Sequence, residues 1–253
     1  MTDHNAKAAR LRELHRPGEP LILPNVWDAA SAKILDEAGH PAVATASAAI
    51  AAMLGYEDHE GAPAEEMLAA AGRVVRAVGV PVSVDAEAGY GLPAAELVER
   101  LAGIGAAGCN LEDTDHRGGG LVAASAQAEY IAAVRAAAAE AGTDLVINAR
   151  VDTFVAGRPD PLPEAIERGR LYLDAGADCV YPIMAPTEDD IAVLAKEIPG
   201  PINGNVLPGS SVARLAELGV ARISFGPMPY LLALDAFKAM AGRLKAGEDP
   251  YGS

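Results

Sequence analysis

Acidic residues stand at the ends of short apolar runs, where several strands of a fold would converge. Asp85 and Glu87 occupy alternate positions before a glycine-rich turn, and Glu112 ends another apolar run. Strand side chains alternate, so Asp85 and Glu87 share one face. Carboxylates gathered together repel one another and are costly to bury without a cation. Their hard oxygen atoms suit Mg2+ or Mn2+, so we predict a divalent-metal site here.

Arg150 also ends an apolar run and shares a strand face with Asn148. The chain carries 35 acidic against 20 basic residues, a net charge of −15, which argues against nucleic acid or an anionic membrane as a partner. An anionic substrate then requires a metal or a buried arginine. Arg150 can hold a carboxylate through two parallel hydrogen bonds, or it can pair with one of the acids; the two roles are compatible.

These residues are positioned by a repeat that extends over the whole chain. Each repeat consists of a helical segment, a glycine and a short apolar strand. Six glycines mark the predicted helix ends: Gly39, Gly79, Gly105, Gly142, Gly176 and Gly219. We predict strands over about 21–26, 41–47, 80–87, 108–113, 144–152, 178–183, 201–206 and 222–227. We predict helices over about 28–39, 63–78, 93–107, 125–141, 161–176, 187–197, 209–219 and 230–247.

Eight alternating units predict a single (β/α)8 TIM barrel over residues 1–253, with its active site at the carboxyl ends of the strands. Residues 3–16 are predicted to form an extra helix over the opposite end. A doubly wound open sheet is the alternative, but no glycine-rich phosphate loop follows the first strand.

Composition and cysteine usage narrow the class of protein. The sequence is 51% hydrophobic and 4% aromatic, enough for a large aliphatic core. Cys109 and Cys179 lie in apolar runs, which is typical of buried thiols in a reducing compartment. The N-terminus is polar, and the longest apolar stretch, near 46–54, is too short for a membrane helix. We expect a soluble cytoplasmic protein.

Four segments resemble the isocitrate lyase and phosphoenolpyruvate mutase superfamily, over about residues 21–237. The most specific is 85–91, Asp-Ala-Glu-Ala-Gly-Tyr-Gly, similar to the family's D-x-D-x-G-Y-G. The others are 54–58 (Leu-Gly-Tyr-Glu-Asp), 111–113 (Leu-Glu-Asp) and 148–152 (Asn-Ala-Arg-Val-Asp). Many members of that family exchange their last helix between subunits. The resemblance therefore implies a homodimer or homotetramer in which 230–247 packs on a partner.

The resemblance also implies roles for individual residues. Asp85 would bind Mg2+ directly, while Asp58, Glu87 and Glu112 would hold metal-bound water. The family's substrate is a 2-oxo acid or its enolate, which chelates the metal as a C–C or P–C bond breaks. The resemblance implies that Thr45, Ala46 and Ser47 contact the substrate carboxylate. It also implies that Arg150 and Asn205 hold the substrate's charged end.

Departures from the family pattern restrict the activity. The loop after the fourth strand reads Thr-Asp-His-Arg-Gly-Gly-Gly over 114–120 and lacks the cysteine with which isocitrate and methylisocitrate lyases protonate the departing enolate. The phosphonomutase K-x-N-S pattern is also missing. The end of the sixth strand reads Tyr-Pro-Ile-Met over 181–184, where lyases have Glu and phosphonomutases have His. One hypothesis assigns the missing acid–base role to His116, on a loop that Gly118–Gly120 allow to move; the alternative is a solvated loop histidine.

The leading interpretation is a Mg2+-dependent lyase or decarboxylase acting on a small 2-oxo or enol carboxylate, such as an oxaloacetate-like or 2-oxoglutarate-related compound. One alternative is a P–C bond enzyme, a phosphoenolpyruvate mutase or a phosphonopyruvate hydrolase. Ketopantoate hydroxymethyltransferase relatives share the barrel and the acids but have no further sequence support here. The non-enzymatic alternative is a barrel that binds a 2-oxo acid without turning it over.

Overall fold

The computed structural model describes residues 3–207 and 209–251 as nine strands and ten helices. The strands are β1 (Leu21–Leu23), β2 (Asn25–Val26), β3 (Val43–Thr45), β4 (Val82–Asp85), β5 (Gly108–Glu112), β6 (Val146–Val151), β7 (Cys179–Pro182), β8 (Asn203–Asn205) and β9 (Arg222–Ser224). The helices are α1 (Asp3–Glu13), α2 (Ala29–Glu37), α3 (Ser47–Leu54), α4 (Ala64–Ala77), α5 (Ala94–Ile104), α6 (Ala124–Glu140), α7 (Pro161–Asp174), α8 (Glu188–Glu197), α9 (Val212–Glu217) and α10 (Met228–Ala246).

The strands form a closed parallel ring. Strands β2 to β7 pair in order, and β8, β9 and β1 form the remaining arc. A bridge between Val180 and Ile202 joins β7 to β8. The chain runs directly from β1 to β2 through Pro24, which has no N–H to donate to the ladder. The predicted first strand is therefore divided in two, with β1 paired to β9 and β2 paired to β3. Closure confirms the (β/α)8 barrel and excludes the open sheet.

Most predicted helix ends follow the glycine pattern. Gly39, Gly105, Gly142, Gly176 and Gly219 all have positive φ. Gly79 differs because α4 ends before it, with Val78 in an extended conformation. Helix α3 was not predicted: the apolar stretch 46–54 is a short helix whose uniform hydrophobicity has no clear helical period. Within 3–207 and 209–251, none of the helices combines the length and hydropathy needed to cross a membrane.

Helix α1 closes the amino-terminal end of the barrel. Ala8 and Leu11 are fully buried, and Arg12 donates to the carboxylates of Asp144 and Asp178 at 2.7 Å. Asp178 directly precedes β7, and Asp144 lies two positions before the start of β6. The apolar contacts and the two ion pairs together fix the helix across the strand ends.

His15, just after α1, gives the barrel a pH-dependent stability. Its Nδ1 lies 2.7 Å from the carbonyl oxygen of Leu11, and burial, aided by the charge of Arg222, lowers its pKa to about 4. Between pH 6.5 and 4 the unfolded chain binds a proton that the folded chain excludes. The free energy of unfolding therefore decreases as the pH is lowered, by at most about 1.4 kcal/mol per pH unit. Urea unfolding at about pH 7 and pH 5 should show a smaller decrease for His15→Gln; an equal decrease would contradict the assignment.

Both cysteines are buried free thiols within the strands, as predicted. Cys109 lies on β5 and Cys179 on β7, and burial raises the pKa of both thiols to about 12. A thiol held in that state is a poor nucleophile at neutral pH. Their contribution is therefore to packing.

Candidate active site

A small cavity of about 220 Å3 opens at the carboxyl ends of the strands. We call it the central cavity. The acidic side chains on its wall are Asp58, from the segment between α3 and α4, and Asp85, the last residue of β4. The full lining is Asn25, Ala46, Ser47, Ala48, Asp58, Asp85, Asn110, Arg150, Val155, Tyr181, Ile183, Ser224, Gly226 and Pro227.

Asp85 is held from three directions. Its Oδ2 accepts a hydrogen bond from the backbone N–H of Ser47 at 3.0 Å, and its Oδ1 lies 3.4 Å from the amide nitrogen of Asn110. Its own backbone N–H donates to the hydroxyl of Thr45 at 2.8 Å. Thr45 is fully buried and outside the cavity lining, so it holds the end of β4 in place. Within the described part of the chain, the carboxylate accepts hydrogen bonds from neutral donors only, so its charge is available to a cation.

Glu87 lies buried behind Asp85, beyond the end of β4. Its φ is +49°, so the strand alternation stops before it. Its Oε1 accepts the backbone N–H of Glu60 at 2.6 Å, and Glu60 in turn accepts the N–H of Tyr90 at 2.6 Å. Burial, followed by the charges of Asp85, Asp58 and other neighbours, raises the pKa of Glu87 to about 7.

Backbone strain concentrates in this same region. His59, Glu60, Glu87 and Tyr90 all have φ between +49° and +66°, a conformation unfavourable for residues with a Cβ. Each such residue costs of the order of 1 kcal/mol or more, and strain of this kind collects at functional sites. Hydrogen bonds join three of these residues, since the N–H of Glu60 donates to Glu87 and the Glu60 carboxylate accepts the N–H of Tyr90.

Glu112 and Arg150 are the centre of a buried ion-pair network. Arg150 Nη1 lies 2.6 Å from Glu112 Oε2, and Arg150 Nε lies 2.6 Å from Asp152. Burial disfavours the guanidinium charge, but the two carboxylates outweigh that effect and raise the pKa of Arg150. His116 Nε2 lies 2.5 Å from Glu112 Oε1, a contact that raises the pKa of His116.

The loop carrying His116 is an ordered hairpin. Thr114 and Leu121 form an antiparallel bridge, and the Asp115 carboxylate accepts the backbone N–H groups of Arg117 and Gly118. The hydroxyl group of Thr114 also donates a hydrogen bond to the Asp152 carboxylate at 2.5 Å. These bonds hold the His116 side chain against Glu112. The centroid of the His59 ring lies 5.4 Å from that of the His116 ring.

A polar cluster fills the barrel below the cavity. Arg222 is fully buried, and its Nη2 donates to Asn110 Oδ1 at 3.1 Å. Asn148 donates to the same oxygen at 2.8 Å. With both donors on its oxygen, the amide nitrogen of Asn110 must face Asp85. Burial lowers the pKa of Arg222, whose nearest hydrogen-bond partners are neutral.

The residues given site roles from the sequence fall into three groups. Asp58, Ala46, Ser47, Asp85 and Arg150 line the central cavity; Thr45, Glu87 and Glu112 are buried outside its lining. The other two line separate cavities: His116 one of about 270 Å3 beside His59, and Asn205 one of about 250 Å3 between α8 and α9.

Other residues of the site were not singled out. Asn110 lies two positions before Glu112 on the same strand face, a spacing that pointed to the cavity. Tyr181 and Ser224 line the cavity from β7 and β9, and Arg222 lies two positions before Ser224. An arginine inside an apolar run was the signal for that last residue. Asp28 follows β2 in the chain but caps α2, since it accepts the backbone N–H of Ser31 at 2.7 Å.

The site fits an ion that takes few protein ligands. Within the described parts of the chain, no three His, Cys, Asp or Glu side chains are arranged to coordinate one ion directly. Asp58 Oδ1 is buried and has no hydrogen-bond partner among the residues that the structure describes, although its side chain reaches the same cavity as Asp85. Mg2+ keeps several waters and uses one or two carboxylates, which this donor set can supply.

Comparisons with known proteins identify the family. A family model described as phosphoenolpyruvate phosphomutase matches residues 11–245. A Burkholderia cenocepacia crystal structure, provisionally assigned as a phosphonomutase, is 41% identical with a TM-score of 0.88, covering 94% of this chain and 100% of that one. An uncharacterised Mycobacterium tuberculosis protein is 34% identical over 93% of this chain and 89% of its own. The 2,3-dimethylmalate lyase of Eubacterium barkeri is 30% identical over 92% of this chain and 83% of its own.

Relatives with named activities include lyases, a mutase and oxaloacetate acetylhydrolase, so the comparisons support an enzyme. The match to the family model covers nearly the whole barrel. The closed ring and the acids at its carboxyl end agree with that match. This chain belongs to the phosphoenolpyruvate phosphomutase family, within the isocitrate lyase superfamily.

Proposed function

We propose that this protein is a Mg2+-dependent lyase that breaks a C–C bond beside the keto group of a small 2-oxo carboxylate. The observation that carries the proposal is the pair of Asp58 and Asp85 on one small cavity, with Asp58 Oδ1 buried and without a partner. Asp85 would hold the ion directly, and Asp58, Glu87 and Glu112 would hold its waters. When bound, Mg2+ supplies the charge that stabilises the substrate's oxygen as the neighbouring bond breaks.

The start of α3 is the proposed carboxylate site. Ala46 is its N-cap and provides no side-chain hydrogen bond, and Ala46, Ser47 and Ala48 all line the central cavity. The first N–H groups of a helix have no partner within the helix and carry a partial positive charge. A substrate carboxylate bound there lies next to Asp85, which Ser47 already contacts.

We infer that Tyr181 is the proton donor in place of the missing cysteine. It lines the central cavity, and burial raises its pKa, so the hydroxyl keeps its proton at neutral pH. His116 instead contacts Glu112 and lines the neighbouring cavity. We assign His116 to positioning Glu112.

Measurements of kcat and Mg2+ affinity should distinguish the role of Tyr181 from that of His116. Tyr181→Phe removes only the hydroxyl and should lower kcat by about 10²- to 10⁴-fold with little change in Mg2+ affinity. His116→Gln should mainly weaken Mg2+ binding, by up to about 10- to 100-fold, since it disturbs a residue that supports the ion. Metal titration and steady-state rates of both variants check this. If His116→Gln lost kcat and Tyr181→Phe did not, the assignments would be reversed.

P–C bond chemistry is the second candidate, favoured by the similarity to the protein provisionally assigned as a phosphonomutase. A phosphonate carries more charge than a carboxylate and requires more cationic contacts. Arg150 is the single Lys or Arg in the lining of the central cavity. We therefore rank cleavage of phosphonopyruvate below C–C bond chemistry.

Helix α10 supports a proposed oligomer. None of its 19 residues is buried, and Leu232, Phe237 and Leu244 are each more than half exposed. A long helix with an uncovered apolar surface is typical of an interface. We propose that α10 packs on a second copy of the chain, as a homodimer or homotetramer of single-domain barrels.

Turnover of a 2-oxo acid panel tests the function. After EDTA treatment, the protein is incubated with 2-oxo acids, 4-hydroxy-2-oxo acids and phosphonopyruvate, with and without Mg2+, and products are identified by mass spectrometry. We expect C–C cleavage that requires Mg2+. Mg2+-dependent binding without turnover would support the non-catalytic alternative, and the absence of any Mg2+-dependent binding would overturn the proposal.

A further inference from the structure

The central cavity has an acidic side and an apolar side. Asp58 and Asp85 approach it from the β3–β4 region, whereas Val155, Ile183 and Pro227 follow β6, β7 and β9. The strand order of the ring places these two groups across the barrel from each other. Val155 is 51% exposed, so the apolar side includes the mouth of the cavity. A ligand anchored beside the acids therefore extends towards apolar side chains.

The cavity has no uncommitted cation for a second anionic group. Arg150 is the only Lys or Arg among its lining residues, and its nitrogen atoms are already engaged. Nη1 pairs with Glu112 at 2.6 Å, while Nε and Nη2 donate to the two oxygens of Asp152 at 2.6 and 3.0 Å. Two carboxylates thus share one guanidinium. A second substrate carboxylate would be desolvated beside an already neutralised arginine.

We propose that the substrate is a 2-oxo monocarboxylate whose far end is neutral and apolar. The inference rests on the proposed function, which supplies the 2-oxo carboxylate end of the molecule. The cavity volume of about 220 Å3 lies below the roughly 300–1,000 Å3 of sites for drug-sized ligands, which suits a molecule of a few carbon atoms. The far end would contact Val155, Ile183 and Pro227.

Two five-carbon acids test the inference directly. 2-Oxopentanoate and 2-oxoglutarate have the same chain length and differ in a terminal methyl against a terminal carboxylate. With Mg2+ present, isothermal titration calorimetry should show 2-oxopentanoate binding at least about tenfold more tightly. Equal or tighter binding of 2-oxoglutarate would overturn the inference and leave the proposed function standing. If neither acid binds in a Mg2+-dependent way, the proposed function itself fails.

A charge-introducing variant gives a second readout. Ile183→Arg supplies a cation at the far end and should improve 2-oxoglutarate binding relative to 2-oxopentanoate by about tenfold or more. Val193→Arg places the same residue on the outer surface of α8, away from the cavity, and should leave the ratio unchanged. An equal change in both variants, or no change in Ile183→Arg with the fold retained, would contradict the assignment of the far end.

Discussion

Asp85→Asn should lower Mg2+ affinity by about 100-fold or more and abolish turnover. The substitution keeps the side-chain shape but removes the carboxylate charge, which among the described residues is contacted by the neutral donors Ser47 and Asn110. Loss of residues that merely support a metal costs 10- to 100-fold, so loss of a direct ligand should cost at least the upper end of that range. Isothermal titration with Mg2+, or electron paramagnetic resonance with Mn2+, measures the change.

A matched control separates the site from general charge effects. Asp189→Asn removes one carboxylate from the exposed first turn of α8 and should leave Mg2+ affinity unchanged. Asp58→Asn should have a smaller effect than Asp85→Asn, because Asp58 is proposed to act through water. A folded Asp85→Asn protein that binds Mg2+ as tightly as the parent would refute the metal site at the carboxyl ends of the strands.

Arg150→Met should destabilise the protein by about 3–5 kcal/mol, the largest stability change we expect from a single substitution near the cavity. The side chains of Glu112 and Asp152 are each only 2% exposed and depend on Arg150 for compensation. Removing the guanidinium takes away the counter-charge that two neighbouring buried carboxylates share, and of the two Glu112 keeps an ion pair, with His116. Urea unfolding at neutral pH measures the difference.

Arg158→Met is the corresponding surface control. Arg158 pairs with Glu164 at 2.8 Å, but its side chain is half exposed, so its loss should cost less than about 1 kcal/mol. Arg150→Lys keeps the charge but not the planar fork, and it should lie between the two. Similar losses for Arg150→Met and Arg158→Met would show that the buried network is not needed for stability.

The glycine-punctuated repeat was sufficient to predict the barrel, because helix ends and buried parallel strands both have local sequence signals. Two features escaped that reasoning. Pro24 divides the first strand, and α3 is too short and too uniformly apolar to show a helical period. Both depend on packing against neighbouring strands, which local sequence does not encode.

By itself, the sequence determined that acids and one arginine stand at the carboxyl ends of the strands, since strand alternation and chain order are local properties. Tertiary structure decided how these groups divide. Asp58 and Asp85 line the cavity, whereas Glu87 and Glu112 are buried behind it in hydrogen bonds and ion pairs to residues from other loops. Those contacts join residues distant in the chain, and the charge available to a ligand depends on them. For that reason, only the folded barrel shows that Arg150 is already neutralised.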